Sequence, residues 1–338
     1  MHQKICLATL FLLIVFTCPA QQKRYSFTQP KMGSPFTIIF YLDDSLKAGN
    51  LAKQSFAMVD SFAFIFSDYV DSSELSLLSA AAVTNPLPVK LSPALWGILM
   101  LSKTAYENSG GAFDITIGPV VKMWRNARKT KQFPTKEMVA VALSRVGFNK
   151  IIVDTSAKTV TLTQPGMQLD LGGIAQGYIA QKIINFLTSE NVSNAMVDAS
   201  GDIVTSSAPP GLKGWVVGIN TPQSTQEILP QKLLLHNKAV TTSGDVYQFM
   251  EHGGKRYSHI TNPRTGYGLT TQKNVTVIAN DGTTADWLAT ACSILSIKKA
   301  KRLALKTGAD VLIATLKNGK LKFYATKGFA ANWKQPGR

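Results

Sequence analysis

Val311-Leu312-Ile313-Ala314-Thr315-Leu316, then Asn318-Gly319, then Leu321-Lys322-Phe323-Tyr324 is the stretch that decides the fold class. Two runs rich in aliphatic, β-branched and aromatic residues flank an Asn-Gly pair, which readily takes the left-handed backbone of a type I′ turn. An antiparallel hairpin is expected here, and a second from Ile151-Ile152-Val153 with Val160-Thr161-Leu162. Working outward, further strands are expected over 34–41, 195–198, 215–219, 239–241 and 275–279. Helices are expected over 48–66, 92–109, 135–147, 173–187 and 285–306, from apolar residues recurring at helical spacing. The helix at 92–109 has the clearest ends: Ser92 to cap it, Pro93 at its first position and Gly110 as a left-handed stop. Strands meeting as hairpins, with helices grouped between them, predict an α+β fold of mixed, mainly antiparallel sheets rather than a doubly wound one. No internal repeat or linker interrupts 25–333, so that span is expected to form one unit.

The chain has 338 residues, 45% hydrophobic and 17% charged, a globular composition long enough to bury a sizeable core. Its formal charge is +16, from 36 Lys+Arg against 20 Asp+Glu. That excess suits an anionic ligand or a membrane surface. Zinc-finger spacing, an RNA-binding signature and an aromatic-interleaved basic stripe are all missing, so nucleic acid is not the expected partner. At the N-terminus, Lys4 precedes an almost wholly apolar run from Ile5 to Thr17, followed by Cys18-Pro19-Ala20. The run is too short to span a bilayer comfortably and has the flanks of a secretory signal. The expectation is an exported, periplasmic protein with a signal peptide over 1–20. Two cleavage outcomes stay open: after Ala20, or before Cys18 (signal 1–17), which would leave a lipid-anchored cysteine at the membrane surface. Either way Cys292 stands alone in the body, so no internal disulfide forms and thiolate metal sites are excluded.

Four segments carry more Gly, Asp, Thr and Ser than a core needs. Gly110-Gly111-Ala112-Phe113-Asp114 lets backbone approach a ligand closely, with Asp114 as an acceptor, although a helix cap and turn would read the same way. Asp170-Leu171-Gly172-Gly173-Ile174-Ala175-Gln176 is a glycine turn opening a helix, where free amides suit phosphate; it lacks the spacing of a P-loop. Thr242-Ser243-Gly244-Asp245 and Tyr257-Ser258-His259-Ile260-Thr261-Asn262-Pro263-Arg264 gather a base, a phosphate-matching guanidinium and several hydroxyls. Asp286 and Thr290, four apart on a helix, share one face, and oxygen ligands of that kind favour magnesium or calcium over zinc.

Together and in this order, these segments resemble the ApbE family of FAD:protein FMN transferases. The likeness runs from Met32-Gly33 to about Leu295 and includes Ser67-Asp68-Tyr69 with Ser73-Glu74-Leu75-Ser76. The resemblance implies a magnesium-dependent transferase that splits FAD and attaches FMN to a threonine or serine of an acceptor. It implies that the acceptor is a redox subunit of a sodium-translocating NADH:quinone reductase or an Rnf-type complex. By position, Met32, Tyr69, Ala112, Phe113, Asp114, Asp170, Gln176 and Ile260 would line the FAD site. Asp286, Thr290 and a backbone carbonyl in the Gly172–Ala175 turn, assigned to Gly173, would hold Mg2+. His259 would be catalytic. The residue chemistry agrees: breaking an anhydride needs charge neutralised, for which a cation and Arg264 would serve, and the attacking hydroxyl needs a base, His259 or Asp245. Two positions depart from the family pattern: Gln176, where many relatives carry Lys or Glu, and Ser200, where a glycine is usual. Two other functions use the same residues: an FAD pyrophosphatase with water as acceptor, and a flavin-binding lipoprotein without catalysis.

Overall fold

Among the described residues, eight strands form one antiparallel sheet in the order Lys23–Lys31, Ser34–Leu42, Ala195–Ala199, Asp202–Thr205, Lys238–Gly244, Lys273–Ala279, Asp310–Lys317, Lys320–Ala325. The structure is a computed structural model and describes residues 22–82, 86–220, 229–244, 248–317 and 319–334. The expected signal segment with Cys18, Asp245 as the alternative base, and Asn318 of the expected turn lie outside the described residues. The fold is α+β, as expected.

The two faces of the sheet differ in what covers them. Phe36, Ile38 and Phe40 alternate inward along one strand and join Val197, Val275 and Val277 under the helices. On the opposite face Val240, Ile278 and Leu312 are covered by the small hairpin Trp215–Val217 with Leu233–Leu235 and by Phe329. The central strands are therefore buried on both sides, which explains runs such as Val275-Thr276-Val277-Ile278 that lack alternation. Each fully buried side chain of this size contributes roughly 1.5–3 kcal/mol.

Among the described residues there are eight helices: α1 Ser45–Phe66, α2 Glu74–Ala80, α3 Pro93–Ser109, α4 Gly118–Thr130, α5 Lys136–Leu143, α6 Ala175–Ser189, α7 Gly282–Ile294 and α8 Ile297–Lys306. α3 begins and ends as its sequence predicts: the Ser92 hydroxyl accepts from the Leu95 amide at 3.2 Å, and Gly110 takes φ 59°. α5 stops four residues short of the expected Gly147, whose amide is instead captured by the Thr116 hydroxyl at 2.7 Å. The long helix expected over 285–306 is two helices. Leu295 and Ser296 are extended, and the Lys273 ammonium donates to the carbonyls of Ser293 and Leu295 at 2.8 and 2.9 Å, satisfying the end of α7. Several elements were not expected, among them the polar edge strand Lys23–Lys31, α2, α4, the strand Asp202–Thr205 and the hairpin Phe249–His252 with Lys255–Ser258. No helix among the described residues is long and apolar enough to cross a membrane.

Candidate active site

The helices α6 and α7 cross unusually closely. A Cβ at Gly177 would lie 2.1 Å from the Gly282 carbonyl oxygen and 2.7 Å from Asp286 Cβ; a Cβ at Gly282 would lie 2.4 Å from the Gly177 carbonyl oxygen. Two glycines, one on each helix, thus let backbone meet backbone. This contact orients Asp286, whose Oδ2 accepts from the Gly177 amide at 3.0 Å. One turn on, Thr290 Oγ1 faces the glycine turn, 3.0 Å from where a Gly173 Cβ would stand. The Ser243 hydroxyl lies 3.5 Å from the same oxygen.

Asp286 has a carboxylate neighbour that sequence reasoning passed over. Asp202 begins a central strand just after Ser200 and Gly201, both with positive φ, and accepts from the Thr241 hydroxyl at 2.6 Å. Burial pushes its carboxyl up to about 7. Burial, and then the nearby Asp202 charge, raise Asp286 well above the usual carboxylate range. Among the described residues neither acid meets a basic side chain within ion-pair distance. Two buried acids without a basic partner repel each other and hold protons unless a cation joins them. The available atoms are hard oxygens: two carboxylates, the hydroxyls of Thr290 and Ser243, and turn carbonyls. No group of three or more His, Cys, Asp or Glu side chains able to hold a metal occurs among the described residues. That donor set fits magnesium, which keeps several waters and needs only one or two carboxylates.

These groups lie in the wall of a cavity of about 1390 Å³, above the roughly 300–1,000 Å³ of common small-molecule sites. Met32, Tyr69, Ala112, Phe113, Asp114, Asp170, Gly173, Gln176, His259, Ile260, Asp286 and Thr290 all line it, as does Asp202. The motif serines explain how Tyr69 is presented. Ser67 Oγ accepts from the amides of Tyr69 and Val70, each at 3.2 Å, while Ser73 and Ser76 donate to the Ser67 carbonyl. Phe113 packs on the glycine turn and on Trp287. Asp114 is spoken for within the fold: its carboxylate takes the amide and hydroxyl of Thr116 at 2.9 and 2.7 Å. Burial raises its carboxyl. Asp170 accepts from the Gly172 amide at 2.8 Å and fixes the turn.

His259 is half-buried, and burial lowers its pKa; the hydrogen bond to Gln248 works against this shift and the Arg128 charge adds to it. With its proton on Nδ1 the ring donates to the Gln248 carbonyl at 3.2 Å, leaving Nε2 as the basic atom. The loop that carries it is held by a satellite core. Val120, Trp124 and Ala127 of α4 pack with Phe133, Tyr257 and Tyr267, and Trp124 Nε1 donates to the Gly266 carbonyl at 2.8 Å. Arg264 departs from its expected place. It does not line the cavity; its guanidinium donates to the Gly110 carbonyl at 2.7 Å, because the Asn262–Gly266 turn faces the end of α3. The cavity's arginines are instead Arg125 and Arg128 of the unexpected helix α4.

The model of the ApbE family matches residues 32–313. The chain is 34% identical over 276 residues to the FAD:protein FMN transferase of Treponema pallidum, covering 77% of this chain and 75% of that one. It is 30% identical over 335 residues to the FAD:protein FMN transferase of Haemophilus influenzae, covering 96% of this chain and 95% of that one. The structure superposes on the flavinyl transferase ApbE of Pseudomonas stutzeri, apo form, with a TM-score of 0.80 and 25% identity, covering 92% of this chain and 97% of that one.

Proposed function

The chain belongs to the ApbE family, and from that membership we propose that it is an FAD:protein FMN transferase, cleaving FAD and placing FMN on a threonine or serine hydroxyl of an acceptor protein while releasing AMP. One observation carries the reading: a single cavity joins an oxygen-rich acid site at Asp202, Asp286 and Thr290 to a neutral imidazole at His259 and an aromatic rim at Tyr69 and Phe113. The acceptor hydroxyl gives its proton to His259 Nε2, and its oxygen bonds to the phosphorus on the FMN side. The bond from that phosphorus to the bridging oxygen breaks, and AMP departs with that oxygen. Asp286, Thr290 and the Gly173 carbonyl, with Asp202 close by, would hold magnesium, which supplies charge neutralisation at the diphosphate. Phe113 and Tyr69 supply apolar faces for the rings.

The acceptor proposed is a redox subunit of a sodium-translocating NADH:quinone reductase or Rnf-type complex. The location proposed is the periplasmic side, with a lipid anchor at Cys18 where cleavage precedes that residue; the support is the apolar run at 5–17. Intact mass of the mature protein distinguishes a lipidated Cys18 from a free residue 21.

The decisive experiment incubates purified protein with FAD and magnesium, with and without an acceptor domain, following covalent flavin by gel fluorescence and AMP by chromatography. Covalent flavin on the acceptor is expected, with little AMP in its absence. Rapid AMP release without acceptor would instead mark a pyrophosphatase, and tightly retained FAD without AMP under either condition a carrier. Asp286→Asn, which keeps the shape of the side chain, is expected to lower transfer by about a hundredfold or more; unchanged transfer would remove Asp286 from the metal site.

A further inference from the structure

Arg125 lines the cavity. Its guanidinium donates to Asp68 on the loop after α1 and to Asp170 Oδ2, at 2.8 Å, on the glycine turn before α6. It also stacks 4.3 Å from the centroid of the Tyr69 ring. These partners come from two segments that line the cavity: Asp68 and Tyr69 from the loop shaped by Ser67, Asp170 from the turn that leads into Gly173. Tyr69 nevertheless remains 75% exposed. One ring face is backed by a cation while much of the remainder is open, which is the form of a stacking platform rather than of a core aromatic. Arg125 gives one donor to each of two carboxylates and so bridges the loop and the turn.

We propose that Arg125 is a positioning residue, a latch that fixes the Asp68-Tyr69 loop to the Asp170 turn so that Tyr69 is held ready to stack on a planar ring of the bound dinucleotide. The inference rests on the flavin-transfer reading above and adds to it. The latch acts on how tightly the dinucleotide is held, because the Arg125 guanidinium is engaged with Asp68 and Asp170. A lysine at this position can keep one ion pair but not the fork across both carboxylates or the planar stack.

The test measures FAD binding by flavin fluorescence and, separately, KM and kcat for transfer, in the unaltered protein and in Arg125→Met, Arg125→Lys, Tyr69→Leu and the Arg125→Met/Tyr69→Leu double variant. The unaltered protein comes first: if it does not bind FAD, the flavin reading fails, and the latch is not what has failed. Given binding, Arg125→Met and Tyr69→Leu are each expected to weaken it about tenfold, the scale of a partly desolvated stack. The loss should appear in KM more than in kcat, the double variant should lose little more than either single one, and Arg125→Lys should fall between. Tyr69 is exposed, so its variant keeps the test alive even if Arg125→Met folds poorly. Binding of AMP and of FMN to the same variants identifies the ring: loss for either one supports the latch. Loss for neither, additive losses, or a fall in kcat with KM unchanged would overturn it.

Discussion

Nε2 of His259 is the one imidazole atom of the cavity left to take a proton, since Nδ1 is engaged with the Gln248 carbonyl. Burial holds the ring below its ordinary pKa, so it stays neutral under conditions where a free histidine would be half protonated. The acid limb of the rate profile should therefore lie below pH ~6.5, the unperturbed value, and pH-rate profiles check this. His259→Ala should lower kcat by about 10²–10⁴-fold, the usual span for a general base; a loss under tenfold would demote the ring to a structural part. The sign for stability follows from the same shift. With the folded value depressed, the unfolded chain binds the proton first, so this residue costs stability only as pH falls below ~6.5. That Asp286 and Thr290 share one face was legible in their spacing, and His259 drew notice by its polar company; all three line the cavity. Asp202 could not, because an acid opening a strand looks like any turn residue until its pairing with Thr241 brings it beside α7. Arg264 misled for the converse reason: an arginine in a motif was taken to face the ligand, whereas backbone geometry aims it at the end of α3.

At the scale of elements, the crossing of α6 and α7 sets both packing and chemistry. Gly177→Ala would place a methyl group against the Gly282 carbonyl, and over-packing of this kind costs about 1–3 kcal/mol. The helices must part, which pulls the Gly177 amide away from Asp286. Thermal melts should show the destabilisation, and magnesium affinity should fall along with it. A variant with native melting and native magnesium response would show that the crossing is looser than its geometry implies. Element boundaries were legible where capping chemistry was local, as at Ser92, Pro93 and Gly110. The break between α7 and α8 was not, because it depends on Lys273, which reaches the last carbonyls from a distant strand. α4 was missed because its apolar stripe is narrow: Val120, Trp124 and Ala127 are buried within an otherwise basic segment.

For the whole molecule, the two buried acids make stability depend jointly on pH and metal. Asp202 is pushed up to about 7 in the fold from its ordinary 3.8, so the folded state keeps its proton longer than the unfolded chain. Its contribution is fully present below 3.8, is lost as pH rises toward 7, and is flat above that. A bound cation favours the ionised pair and offsets that loss. Magnesium should accordingly raise Tm more at pH ~8 than at pH ~6, and differential scanning fluorimetry at the two values decides it; an equal rise at both would separate the acids from the metal. The fold class was readable from the hairpins because register and turn chemistry are local. The polar edge strand Lys23–Lys31 was not, since only its pairing with Ser34–Leu42 distinguishes it from a loop.

Trp124, Tyr257 and Tyr267 hold the His259 loop through an apolar seam separate from the main core. The His259 imidazole thus rides on a raft moored to the hull by a few aromatic lines. Warming can set that raft adrift while the hull stays watertight, so heat should silence the enzyme before it melts it.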